Sequence, residues 1–276
     1  TRGLNKEITI DEFISQFDSF DKNNALIVLN TIESSLNVYF ALNRKLKENY
    51  KIKYLSTNLT PFDRIKKINK INDLLDENEK IILVTTQLIE AGVDLSFEVV
   101  FRDNAPLDSI IQVAGRCNRS SELDYLGEVK LINLLNHKGN SCAKRIYDIK
   151  LLEITKKVLV KDEYNNSDFY DLSKEYFGKI KKLSISKSNS ILNAMRSLNY
   201  DNKNKDICIK DFKLIEDTYY DTRVVICQNK EIENKLYKMV NLKEKMKKQK
   251  KYRYNSDLYR KFDKLKKEVE KYTIDI

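Results

Sequence analysis

IILVTTQLIEAGVDLS, residues 81–96, is the stretch from which the fold can be read. Its first four residues are apolar without alternation, the pattern of a strand buried on both faces, as in a parallel sheet covered by helices. Thr85 and Thr86 close the run, and a polar loop carrying Gly92 and Asp94 follows. Ligands of open parallel sheets bind beyond the carboxyl ends of the strands, so this loop is expected on the functional rim.

Working outward, similar apolar runs occur at 25–30 (ALIVLN), 51–56 (KIKYLS), 98–101 (EVVF) and 128–135 (EVKLINLL). Between them lie helical patterns at 33–49, 61–76 and 107–116, the second announced by Thr60 as N-cap, Pro61 at the first helical position and Asp63 in the first turn. Alternating strands and helices predict an α/β parallel sheet with helices on both faces. Past residue 140 the pattern changes to Lys-rich helices at 143–160, 169–183 and 191–200. A hairpin-like strand pair is expected at 207–217 and 221–228, then two basic helices between 231 and 270, and a strand-like YTIDI end that needs a partner. The expected division is a sheet domain over 1–140, with its boundary near 136–145, and a mostly helical accessory region with a small sheet over 141–276.

A length of 276 residues accommodates about two domains of the usual size of roughly 150. With 41% hydrophobic and 33% charged residues, 6 Gly and 2 Pro, the composition is that of a folded chain. No apolar run approaches the roughly 20 residues that span a bilayer, and Thr1 does not open a signal peptide, which predicts a soluble cytoplasmic protein without membrane partners. Cys117, Cys142, Cys208 and Cys227 form no CxxC pair, and with His137 as the lone histidine no metal framework is expected.

The net charge of +10 is lopsided: residues 1–150 hold 21 basic and 21 acidic side chains, and residues 151–276 hold 30 and 20. The excess peaks over 243–253, where Lys247, Lys248, Lys250 and Lys251 lie among seven basic residues and one acid. Such a field suits a polyanion, and these four lysines are the expected nucleic-acid contacts. Tyr252, Tyr254, Tyr259 and Phe262 interleave with bases there, a pattern that fits either stacking on a single strand or a helical core stripe.

The densest chemical cluster is QVAGRCNR, residues 112–119, in which Arg116 and Arg119 are expected on neighbouring positions of a helix end. Two planar, permanently charged forks suit the charge that develops on a transferring γ-phosphate. With the preceding loop, these residues resemble superfamily 2 helicases: VTTQLIEAGVDLS is similar to their motif V, QVAGRCNR to motif VI, and ALIVLNT with YLSTNLTPFDR to the motif IV region. LIEAGVDLSFEVVFRDNAPLDSIIQVAGRCNR resembles, more narrowly, the CRISPR-associated helicase-nuclease of type I systems. The close likeness runs from about Ala25 to Leu134.

The resemblance implies a second RecA-like domain. It casts Arg116 and Arg119 as arginine fingers with Gln112 beside them. Asp94 and Gly92 fall on the nucleotide side, and Thr31, Ser56, Thr57, Thr85 and Thr86 on nucleic-acid phosphates. Val113 stands where many members carry arginine. No GxxxxGK[ST], acidic Walker B box or paired-histidine nuclease site occurs, so ATP and magnesium are expected to be held mainly by a first RecA-like domain outside this chain. A fragment or split subunit is the corresponding expectation, with single-stranded DNA, the first RecA-like domain, an HD-type nuclease domain of the same protein or a separate subunit, and an RNA-guided surveillance complex as partners. A non-catalytic nucleic-acid-binding module and an RNA-helicase fragment are the alternatives.

Overall fold

The computed structural model describes all residues except 1–3, 5, 91–92, 120–125, 184, 202–206, 213–222, 227–228, 249–255 and 276. The chain forms two compact units, each assembled from two stretches: Thr1–Tyr54 with Asn78–Thr218, and Leu55–Glu77 with Tyr219–Ile276.

The large sheet contains β1 (Glu7–Ile8), β2 (Asn24–Val28), β3 (Lys51–Leu55), β4 (Ile81–Thr85), β5 (Val99–Asp103) and β6 (Glu128–Leu134), in the order β1-β6-β5-β2-β4-β3. The pairs β1–β6, β6–β5, β5–β2 and β2–β4 are parallel. Every residue of β4 and β5 is buried, as the unbroken apolar run in β4 requires. The α/β parallel-sheet fold is that of a RecA-like domain.

Strand alternation sends Ala25, Ile27, Ile82, Val84, Val99, Phe101 and Ile132 to one face, against α1 (Ile10–Ser15) and α2 (Ile32–Leu46). Thr9 starts α1 with a capping box, and Thr31 caps α2 by accepting from the Ser34 amide at 3.1 Å. Phe13 and Phe17 meet Phe101 with centroids 5.5 and 5.2 Å apart, the first pair edge-on. On the opposite face Leu131 packs with Leu107 and Ile110 of α4 (Leu107–Ala114). The same cluster takes Ile154 and Val158 of a later helix (Ile149–Val158), and Leu172 and Tyr176 of the helix Phe169–Leu183. With the short turn of helix Ala143–Ile146 counted as α5, these two are α6 and α7. Their lysines face outward while their apolar stripe covers the sheet.

Three expectations need correction. Helix α8 runs over Ile185–Arg196 and ends before Leu198, which adopts a positive φ of 54°, so the helix expected over 191–200 starts and stops early. Within 207–217, Ile209–Asp211 is a 3-10 turn rather than a strand, fastened by the Cys208 amide donating to Asp211 at 2.9 Å; residues 213–217 lie outside the described ones. The strand expected from DTRVVICQ is present as β7 (Arg223–Val225), but its antiparallel partner is β8 (Thr273–Asp275) from the YTIDI end. A strand of three residues acquires its hydrogen bonds from whichever extended segment the tertiary fold brings alongside, and sequence proximity does not choose it.

The second unit contains this ribbon, α3 (Pro61–Asp76), α9 (Lys230–Lys248) and α10 (Ser256–Glu270). Thr60 caps α3 as expected, accepting from the Asp63 amide at 3.1 Å, and Phe62 stacks on Tyr272 with centroids 5.0 Å apart. Among the described residues no helix is long and apolar enough to cross a membrane.

Phe101 lies where three aromatic rings of one face converge. Phe101→Ala should lower the unfolding free energy by about 3–5 kcal/mol, the range for removing a buried ring, and chemical denaturation of the chain measures it.

Candidate functional site

From β2 the chain crosses by α2 to the far edge at β3, whereas from β5 it crosses by α4 toward β6 on the other side. The direction of winding reverses beside β2, which opens a crevice at the carboxyl ends of β2 and β5. Asn30, Arg102 and Asp103 occupy that place, all buried.

Arg102 is fully buried and pairs widely. One terminal nitrogen donates to Asn30 Oδ1 at 2.8 Å and to the Asp103 carbonyl at 3.1 Å; the other donates to Glu90 Oε1 at 2.8 Å and Tyr147 Oη at 2.9 Å. Ser109 of α4 donates to the second Glu90 oxygen at 3.3 Å. Asp103 accepts from Asn30 Nδ2 at 2.7 Å and from the Asn104 and Leu134 amides at 2.9 and 3.0 Å. Burial pushes its carboxyl up to about 6, against the pull of those donors, and burial also raises Glu90. Gln87, in the 3-10 turn after β4, donates to the Asn30 carbonyl at 3.0 Å. The residues Asn30, Glu90, Arg102 and Asp103 escaped the motif reading. The signal for the last two was present, since Arg-Asp at the end of the apolar run VVF puts charge where a buried strand admits it only if paired.

The arginine cluster is built differently from the helix-end expectation. Helix α4 stops at Ala114, and Arg116 and Arg119 fall in the turn beyond it, separated by Asn118 at a positive φ of 44°. The turn is pinned to the segment before β5: the Phe97 amide donates to the Arg116 carbonyl and the Asn118 amide to the Phe97 carbonyl, both at 2.9 Å, while the Arg119 amide donates to Ser96 Oγ at 2.9 Å. Gly127 lies so near that an added Cβ would stand 2.6 Å from Cys117 Sγ. Burial pushes the Cys117 thiol up to about 11, so it packs rather than reacts.

That pairing brings the two predicted segments together. Arg119, at the surface, forms an ion pair with the exposed carboxylate of Asp94. Arg116 is 9% exposed and donates from a terminal nitrogen to the Glu90 carbonyl at 3.1 Å, while its buried Nε, like those of Arg64 and Arg102, has no hydrogen-bond partner. Burial first, and the charge of Arg119 second, lower its pKa. A desolvated guanidinium with a spare donor beside a second cation fits an anion. Gln112 is exposed on α4, and Gly92 lies outside the described residues.

The five hydroxyl residues separate by burial. Thr85 and Thr86 are buried, and Thr85 donates to the Thr86 carbonyl at 3.2 Å. Ser56, in the second unit, is buried and accepts from the Asn58 amide at 3.3 Å, next to exposed Thr57. Thr31 is half-buried at the start of α2. Of the lysines expected to contact nucleic acid, Lys247 and Lys248 end α9 without described side chains, and Lys250 and Lys251 lie outside the described residues, as do Tyr252 and Tyr254.

Residues 21–122 match a family model described as CRISPR-associated nuclease/helicase Cas3, C-terminal. That stretch is similar to the C-terminal part of the Cas3 nuclease/helicases. Among curated proteins, the CRISPR-associated nuclease/helicase Cas3 of Haloferax volcanii is 56% identical over 69 residues, covering 25% of this chain and 7% of that protein. The Cas3 of Methanothermobacter thermautotrophicus is 25% identical over 158 residues, 56% of this chain and 18% of that protein. The crystal structure of T. fusca Cas3 shares the fold with a TM-score of 0.53 and 18% identity, over 62% of this chain and 22% of that one. The chain thus spans less than a fifth of the length of the curated Cas3 relatives it matches.

Two measurements test the polar cluster. Arg102→Met strands the Glu90 carboxylate and should destabilise the chain by about 3–5 kcal/mol, with part recovered when Glu90→Gln is added, in a chemical-denaturation double-mutant cycle. Asp103 titrates near 6 in the folded chain, above the ordinary 3.8, so its contribution to stability is full below about pH 4 and declines as pH rises through 6. Asp103→Asn should remove that part of the pH dependence, so the stability of wild type relative to the variant falls between pH 4 and pH 7.

Proposed function

We propose that this chain is the C-terminal helicase portion of an ATP-dependent, single-stranded DNA translocase acting in type I CRISPR interference in the cytoplasm. Residues 1–140 supply the motifs of the second RecA-like domain, whose compact unit also takes in the helices that follow residue 140, and the basic residues toward residue 276 serve as an accessory region. The observation that carries the reading is the buried, incompletely paired Arg116 next to Arg119, held by the 96–98 segment that leads into β5. Such a place is short of negative charge, and a γ-phosphate presented by the first RecA-like domain supplies it. The identity of the curated Cas3 proteins over this part of the chain supports the same reading.

Arg116 and Arg119 then act as fingers that stabilise charge on the phosphoryl oxygens, with Gln112 facing the same interface. Arg119 leaves Asp94, or shares it with the ribose, when nucleotide arrives. Magnesium enters with the nucleotide on the first domain. Thr31 and Thr57, whose side chains reach the surface, hold DNA phosphates. Ser56, Thr85 and Thr86 shape the loops from beneath. The HD-type nuclease domain and the RNA-guided surveillance complex are the remaining partners.

In the full-length protein, Arg116→Ala or Arg119→Ala should lower DNA-stimulated ATP turnover by roughly 10³-fold or more while DNA binding survives, as loss of a transition-state arginine does. Undiminished turnover in both variants refutes the finger assignment.

A further inference from the structure

Helices α9 and α10 pack side by side in the second unit, tied by Lys235, which bridges Glu231 at 2.7 Å and Glu268 at 3.1 Å. Between them runs a groove of about 540 Å3. Each helix contributes one stripe at spacings of three, four and seven: Lys238, Leu242 and Lys245 from α9, and Lys261, Leu265 and Glu268 from α10, with Lys264 beside Leu265. The two leucines are half-buried and make an apolar floor; the four lysines are exposed and stand along the walls. The lone lining carboxylate, Glu268, is engaged by Lys235. Among the described residues none of the four lysines makes a hydrogen bond or ion pair. Two rows of like charge thus face one groove whose single carboxylate is already taken.

We propose that this groove binds the phosphodiester backbone of single-stranded DNA. Lysine ammoniums are point charges that attract phosphates without demanding the planar fit of a guanidinium, which suits a strand held regardless of sequence. The seven-residue step from Lys238 to Lys245 spans roughly 10 Å of helix axis, so each wall meets successive parts of an extended strand. Tyr237, 71% exposed and one residue before Lys238, lies outside the groove lining on the adjoining face of the helix, where a base turned out of the groove can stack. An acidic peptide would meet the same charges, and competition separates it from DNA. The site lies in described helices and is distinct from the run 247–251. It deepens the translocase reading by naming a DNA-holding surface outside the sheet, and it requires no nucleotide.

The test uses the 276-residue chain itself and fluorescence anisotropy with a labelled 20-nucleotide oligo(dT), at several salt concentrations and without ATP. Replacing Lys238, Lys245, Lys261 and Lys264 together by glutamine should weaken binding about tenfold or more at low salt. It should also flatten the slope of log affinity against log salt by roughly 3, at about 0.7 for each phosphate no longer neutralised. The charge-matched control replaces exposed Lys150, Lys156, Lys157 and Lys174 of the first unit by glutamine and should keep nearly the wild-type slope. Tyr237→Ala should weaken binding with the salt slope unchanged, because stacking releases no counterions. Circular dichroism confirms folding of each variant. Equal weakening in the two quadruple variants, a wild-type slope in the groove variant, or no binding of oligo(dT) by the wild-type chain would overturn the proposal. Competition by polyglutamate as strong as by unlabelled oligo(dT) would overturn it in favour of an acidic peptide. A failed ATPase test of the arginines leaves these readings untouched, so the two proposals fail separately.

Discussion

The buried guanidinium of Arg102 is the constraint around which the functional edge of the sheet is organised. Withdrawing a cation from water costs several kcal/mol unless partners surround it, so the fold must deliver oxygens from several directions to one point. It does so from Asn30 after β2, from the Asp103 carbonyl at the end of β5, from Glu90 after β4, and from Tyr147 before α6. Segments far apart in the chain are fixed to one another by the same charge. Once Glu90 is held, its carbonyl has a fixed place, and that carbonyl accepts from Arg116. Arg116 is therefore positioned through a second, buried cation.

A second constraint acts through the main chain. Arg116 and Arg119 lie beyond the end of α4, where an isolated turn would leave both side chains free to wander. The bridge between Phe97 and Cys117, with the amide of Arg119 on Ser96, converts that turn into a short extension of the sheet edge. Asn118 makes the reversal at a positive φ that asparagine tolerates better than most residues. The absence of a side chain at Gly127 lets the start of β6 press against Cys117. The motif thus owes its geometry to backbone pairing rather than to helical periodicity.

The parallel sheet was legible because burial on both faces leaves a mark that no other local arrangement imitates: runs such as Ile81–Val84 and Val99–Phe101 without alternation, each bounded by polar residues. Helix α3 was legible from Thr60 and Pro61, whose capping chemistry is local. The stop of α4 at Ala114 was not, since Gly115 and Arg116 are compatible with another helical turn and pairing with Phe97 makes the decision. Likewise the two-strand ribbon could not be assigned, because Val224 and Ile274, which pair, stand fifty positions apart in the chain.

By itself, then, the sequence determined the α/β class, five of the six strands of the sheet (the two-residue β1 left no periodic mark), the two motif segments and the basic bias of the second half. Each of these is written in local periodicity, capping or charge, which act over a few residues. Tertiary structure decided that Arg102 and Asp103 form a buried polar centre, that Thr85 and Thr86 turn inward, that Asp94 meets Arg119, and that four lysines from two helices line one groove. Those outcomes depend on which distant groups share a low-dielectric space or a helix face, and neither hydrogen-bond partners nor burial are encoded at the position of the residue that acquires them.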